Sequence, residues 1–179
     1  MKSIIKKSKN IILRKTNLED LEFVIRAERD KENSMYVGQW TKQQHINALE
    51  DEDILHIIIE DCDNKKIGYI IISGLKGLNR SIEFKRFVIC EKDRGFGKEA
   101  LGLIKELAFN ELNAHRLWLD VRLKNERAKR VYESQGFKAE GILRECVFYN
   151  GEYESLIVMS ILSSEYIFNK KVNIKEMKF

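Results

Sequence analysis

The chain reads as an α+β domain, a mostly antiparallel mixed sheet of about six or seven strands with about four flanking helices. Three observations lead there. In the middle of the chain, runs rich in β-branched residues alternate with turn-forming clusters, so successive strands connect by tight turns. Helical stripes lie on either side of that block. Near the C-terminal end an Asn-Gly pair divides two further strands, the strongest short-range hairpin signal.

The elements follow in order. "NIILRK" is the first strand, and Thr16, three residues before Glu19, offers a capping box for a helix to about Asp30. Thr41 with Gln44 repeats the device for a second helix in "QWTKQQHINALED". "ILHIIIE", "KKIGYIIISGL" and "SIEFKRFVI" are three antiparallel strands parted by "DCDN" and "KGLN". From Gly97 to Leu112, apolar residues at 100, 101, 104, 107 and 108 form a helical stripe. "RLWLDV" is a short buried strand. Asn125 caps a helix whose inner face is Ala128, Val131 and Tyr132, and Gly136 ends it. "GILRECVFY" and "EYESLIVMSIL" close the sheet as a hairpin. With neither repeat nor linker, 1–163 is expected to form one domain, and 164–179 a tail or an added edge element.

Composition removes several functional classes. The 179 residues are 44% apolar and 34% charged, a globular balance. No apolar run approaches the ~20 residues that span a bilayer, so no membrane partner is expected. The basic start "MKSIIKKSKNIILRK" lacks the apolar core and cleavage site of a signal peptide, which points to the cytoplasm. Cys62, Cys90 and Cys146 are scattered, as are His45, His56 and His115, so no metal site is expected. The net charge of +4 is spread among interleaved acids and bases, too weak a bias for nucleic acid.

The stretch "CEKDRGFGKEAL" is where chemistry enters. A phosphate-binding P-loop would need a glycine where Lys92 stands and Ser or Thr where Glu99 stands. "GFGKEA" does satisfy the dinucleotide fingerprint G-x-G-x-x-A, with Asp120 near the place of a ribose-binding acid. Its context defeats that reading, because it follows antiparallel strands and too little chain remains for further β-α units. What survives is a strand, a basic glycine turn and a helix N-terminus. Unpaired N–H groups and the positive end of the helix dipole stabilise an anion there.

Downstream stands "NERAKRVYESQGF", an Asn-x-x-Ala-x-x-x-Tyr-x-x-x-Gly-Phe spacing. Together with the glycine turn and "LWLDV" it resembles the GNAT superfamily of acetyl-CoA-dependent N-acetyltransferases, from "IILRKTNLED" to "LIVMSIL". The closing stretch looks like the branch holding ribosomal-protein N-terminal acetyltransferases and spermidine acetyltransferases. The resemblance implies the GNAT fold, acetyl-CoA as cosubstrate and no metal. It implies that the backbone of Arg94, Gly95, Phe96, Gly97 and Lys98 holds the pyrophosphate of coenzyme A. Phe87, Val88 and Ile89 would pair with the pantetheine arm, and Asn125 would hydrogen-bond to it. The sequence departs from the family at one position: Lys92, followed by Asp93, stands where Gln or Arg is usual.

Acetyl transfer needs an unprotonated amine, hence a base, and a thiolate leaving group that gains from an acid. Tyr132 suits the acid, since a phenol of pKa about 10 is protonated at pH 7. Asp120 and Glu83 compete for the base. Cys90 suggests a covalent route, but no activating histidine accompanies it, and direct transfer is preferred. Glu28, Tyr36 and Trp40 are candidates to line the acceptor site. The acidic "EDED" at Glu50 to Asp53 reads as a solvated loop, with a polycation as the competing occupant. The acceptor is then a primary amine of a small molecule or a peptide N-terminus, a polyamine being the named alternative. A catalytically silent coenzyme A-binding module is the reading from another class, and a homodimer is the assembly left open.

Overall fold

A computed structural model of the chain describes residues 3–167. Its strands are β1 (Ile4–Lys7), β2 (Ile11–Lys15), β3 (Ile54–Asp61), β4 (Lys66–Ser73), β5 (Ser81–Ile89), β6 (Arg116–Arg122), β7 (Lys138–Tyr149) and β8 (Glu152–Leu162). The helices between strands include α1 (Leu21–Arg29), α2 (Lys31–Ser34), α3 (Lys42–Glu50), α4 (Phe96–Glu106) and α5 (Glu126–Ser134). All eight strands join one sheet in the order β1-β2-β3-β4-β5-β6-β8-β7. Every neighbouring pair is antiparallel except β5–β6, which α4 connects as a crossover and so makes parallel.

Two apolar clusters sandwich the sheet. On one face Ala100, Leu101 and Ile104 of α4 and Tyr132 of α5 pack with Ile57, Ile59, Ile70 and Leu119. On the other, Val24 and Ala27 of α1, with Phe23 and Trp40, cover Ile58, Tyr69, Ile71 and Val88. Central strands β3 and β4 are therefore apolar on both faces, which explains their unbroken isoleucine runs. Among the described residues no helix is long and apolar enough to cross a membrane.

The structure corrects the sequence reading in three places. Among the described residues eight strands stand where about six or seven were expected, because the lysine-rich start folds back as β1 along β2. Its "IIKK" has no alternation to betray a strand, and lysines suit a sheet edge. The first capping box sits one residue later. Asp20 Oδ2 accepts the Asn17 N–H (3.0 Å), while the Thr16 hydroxyl bonds His56 Nδ1 (2.9 Å). The expected helix to Leu112 ends as α4 plus one wider π-type turn, Leu107–Glu111. Of the expected tail, residues 163–167 are helical and 168–179 lie outside the described residues.

Candidate active site

The parallel pair β5–β6 is short: only Ser81, Ile82 and Glu83 face Arg116, Leu117 and Trp118. Beyond it β5 stays with β4 as far as Ile89, and β6 stays with β8 as far as Arg122. The two strands therefore splay apart, and the β6-facing edge of β5 from Lys85 to Ile89 pairs with no strand among the described residues. A cleft of about 680 Å³ opens along that edge. It is lined by Phe87, Val88 and Ile89, by Lys92, Gly95, Phe96, Gly97 and Lys98, and by Asn125, Tyr132 and Tyr36.

A bulge sets which side chains face which way. Ile71 pairs with Arg86 and Ile72 with Phe84, so Lys85 is an extra residue on β5. Phe84 and Phe87, three apart, thereby share the α4 side, their rings edge-on at 5.2 Å. Val88 falls on the α1 side, as does Arg86, whose guanidinium carbon lies 4.4 Å from the Trp40 ring centroid. Two phenylalanines at i, i+3 in a strand are the sequence signal that this bulge leaves. Gly68 of β4 lies opposite, where a Cβ would come within 2.2 Å of the Val88 carbonyl, so the strand beside the cleft tolerates no side chain there.

The glycine turn is shaped for close approach. Gly95 caps α4 at φ 78°, a left-handed conformation that L side chains rarely adopt. The first-turn N–H groups of α4 have no acceptor within the helix and point to the cleft end. At Gly97 a Cβ would meet Phe87 and Ile89 only at 3.8 Å, so the protein has room for it, but it would enter the cleft. Lys92 Nζ lies 3.0 Å from Glu32 of α2, and Asp93 accepts from Arg127 of α5 at 2.8 Å. Arg94 turns aside to Glu91 and stacks over Phe96 at 4.9 Å, and its side chain is absent from the cleft lining.

Asn125 Oδ1 accepts the Ala128 N–H (3.1 Å), which caps α5 and leaves its amide NH₂ as a donor toward the cleft. Tyr132, seven residues on, is 8% exposed. Burial, with the Asp120 charge nearby, raises its pKa well above that of a free phenol. Asp120 is open to solvent at its surface. Even so, the surrounding protein pushes its pKa up, with the Glu83 charge adding to the shift and Lys85 opposing it. Glu83 accepts from Ser73 Oγ (2.8 Å) and Lys85 Nζ (2.9 Å). Trp118 and Asp120 alternate with the buried Leu117, Leu119 and Val121, so Asp120 looks to the face opposite α4. Tyr132 packs on the α4 side, and the splay joins the two faces.

The acceptor-side candidates separate. Tyr36 lines the cleft. Trp40 is half-buried and its ring lies under the Arg86 guanidinium. Glu28 is 1% exposed and lines nothing open, a correction to its place at a mouth. It accepts from Tyr69 Oη (2.6 Å) and from the Trp40 N–H (2.9 Å). Burial pushes its pKa up, but His45, Tyr69, the Trp40 amide and Arg86 together outweigh that and hold it low. The "EDED" acids are engaged locally, Asp53 accepting the N–H groups of Gly74 (3.1 Å) and Lys76 (2.6 Å). The surrounding protein and nearby Asp30 push the thiol of the exposed Cys90 up, the opposite of an activated nucleophile.

A splayed sheet, an unpaired strand edge, a glycine-capped helix end and a buried phenol together fit a long anionic thioester cofactor. They define an acyltransferase of the coenzyme A-dependent kind. A family profile described as "Acetyltransferase (GNAT) domain" matches residues 10–138. The spermidine N(1)-acetyltransferase of Vibrio cholerae is 28% identical over 88% of this chain and 95% of its own length. A probable N-acetyltransferase of Bacillus subtilis, YjcK, is 39% identical over 68% of this chain and 69% of its own. A crystal structure of the V. cholerae spermidine N-acetyltransferase with CoA and spermine superposes with a TM-score of 0.81 at 25% identity, covering 89% of this chain and 99% of that one. The chain belongs to the GNAT acetyltransferases and is an acetyl-CoA-dependent N-acetyltransferase of the branch near the spermidine and ribosomal enzymes.

Proposed function

We propose that this enzyme acetylates a small polycationic amine of the polyamine type. The observation that supports this is the Glu83–Asp120 pair at the start of the splay, two carboxylates near enough for one to raise the other's pKa and sharing a single close cation among the described residues, Lys85. A site that crowds negative charge favours an acceptor that brings positive charge. Two relatives matched over 95% and 91% of their own length act on spermidine by name, and one solved neighbour holds spermine.

In this reading coenzyme A lies along the β5 edge with its pyrophosphate on the N–H groups of Gly95 to Lys98, and it supplies an activated acetyl thioester. Asn125 donates to the pantetheine arm, and the unpaired backbone of Phe87 to Ile89 orients it. The amine reaches the splay from the α1 side, past Tyr36 and Trp40. Asp120, aided by Glu83, takes the ammonium proton directly or through water, and Tyr132 gives its phenolic proton to the departing sulfur. Burial keeps Tyr132 protonated until that moment.

The test is free-thiol release from acetyl-CoA with spermidine, spermine, an aminoglycoside, amino acids and short peptides beginning Ala, Ser or Met. Turnover with the polyamines at far lower concentration than with the others supports the reading. Preference for a peptide would move the acceptor to protein N-termini.

A further inference from the structure

We propose that Glu28 and Arg86 form a positioning device that fixes the acceptor-side wall of the cleft. The proposal rests on the reading that the amine enters on the α1 side. Neither residue lines the cleft, and both act through the chain segment between α2 and α3.

That segment carries Tyr36 and Val37 into the cleft lining. One and three residues later its backbone is held by the pair. The Gly38 carbonyl accepts from Arg86 Nη1, and the Trp40 N–H donates to Glu28 Oε2 at 2.9 Å. The Arg86 guanidinium carbon lies over the Trp40 ring at 4.4 Å from its centroid, and Nη1 is 3.5 Å from Glu28 Oε1. Glu28 is anchored in turn by Tyr69 Oη of β4 at 2.6 Å, and His45 Nε2 of α3 lies 3.4 Å from it without hydrogen-bond geometry. His45 Nδ1 meets His56 Nε2 of β3 at 3.2 Å. The irregular wall is thus tied to β3, β4 and β5, the rigid centre of the sheet. Arg86 also adjoins Phe87, so one residue links the cofactor strand to the acceptor wall.

A purely stabilising role fits less well. A buried ion pair rarely outperforms apolar residues of equal volume. Among the described residues, Arg86 Nε and His45 Nε2 also find no hydrogen-bond acceptor although both are buried, which costs stability. What the arrangement supplies is fixed geometry, and a displacement of about 1 Å at a reacting group costs on the order of a hundredfold in rate.

The experiment compares wild type with Arg86→Gln and Arg86→Lys. It reads kcat and KM for spermidine and acetyl-CoA, the Kd of CoA, the Tm and hydrogen exchange at the Trp40 amide. The expected result for Arg86→Gln is a fall in kcat/KM for spermidine of about ten- to a hundredfold, carried mainly by KM. CoA affinity should stay within about twofold, because β5 remains paired with β4. Trp40 exchange should accelerate. Arg86→Lys, which keeps the charge but loses the planar fork, should recover part of the loss. A lowered Tm with unchanged acceptor KM overturns the proposal, as does an equal rise in both KM values. If wild type turns over no amine, the functional reading fails by itself. The device is then judged on Trp40 exchange at retained CoA affinity: faster exchange in Arg86→Gln supports it, and unchanged exchange overturns it.

Discussion

The carboxylate of Asp120, on β6, lies close enough to Tyr132, on α5, for its charge to raise the phenol's pKa beyond what burial does. Asp120 is itself pushed up by its surroundings and by Glu83. The phenol is therefore held as a proton donor, while the carboxylate binds a proton more readily than a free aspartate. Environments that separate two titratable groups in this way divide acid from base work.

Replacing Tyr132 by Phe removes the donor and keeps the ring packed against Phe137 at 5.7 Å. Turnover should fall by about a hundredfold, the scale of a lost general acid, with CoA affinity and Tm little changed. Single-turnover kinetics with calorimetric CoA titration decides it, and wild-type turnover would remove Tyr132 from the mechanism.

The pH profile assigns the base. If Asp120 acts ionised, kcat/KM falls as pH drops through its pKa, which lies above the ordinary aspartate value of about 3.9. Removing the neighbouring charge in Glu83→Gln should move that limb to lower pH, and Asp120→Asn should abolish it. Because folding raises the Asp120 pKa, its ionised form weakens the fold above the unfolded value. Asp120→Asn should therefore match or exceed the wild-type Tm at pH 7.

Gly97→Val tests the anion site. A Cβ there meets Phe87 and Ile89 only at ordinary contact distance, so Tm should change little, and the added side chain sits among the cleft-lining residues. CoA affinity should drop by about tenfold or more, equivalent to the 1.4 kcal/mol of one decade. Unchanged binding would mean that the pyrophosphate lies elsewhere.

Acid stability should decline in two windows. Burial, with His45 adding, lowers the His56 pKa to about 3. From its unfolded value near 6.5 downward the unfolded chain takes up the proton first, so Tm should fall between about pH 6.5 and 3. His56→Gln should flatten that slope. Asp20 is buried, which alone would raise its pKa, but the bonds from Arg14, Lys66 and the Asn17 N–H hold it well below the carboxylate range. Its contribution is present above about pH 3.9 and is lost only below it.

Asp20→Asn should be far more damaging at neutral pH. Asp20 takes Arg14 in a two-pronged pair at 2.6 and 2.9 Å, both side chains almost wholly buried. Breaking one partner of such a pair costs about 3–5 kcal/mol, readable by urea denaturation.

The features readable from the residues alone are those whose energetics are local. Gly95 at the start of α4, Asn125 capping α5, Thr41 with Gln44 and the Asn150–Gly151 turn each act across a few residues, so their types and spacings were legible. The order of those motifs was enough to point to the family and its cofactor. The tertiary structure decided what depends on distant segments meeting. The Thr16 hydroxyl left its expected cap because His56, 40 residues away, competes for it. Glu28 left the cleft mouth because Tyr69, 41 residues away, and Arg86 enclose it. The splay of β5 from β6 and the bulge at Lys85 are properties of strand pairing, set by which strand lies alongside. Local propensity specifies a turn or a cap because both partners are adjacent in the chain. A cleft between strands exists only once long-range pairing has chosen which backbone edges stay open.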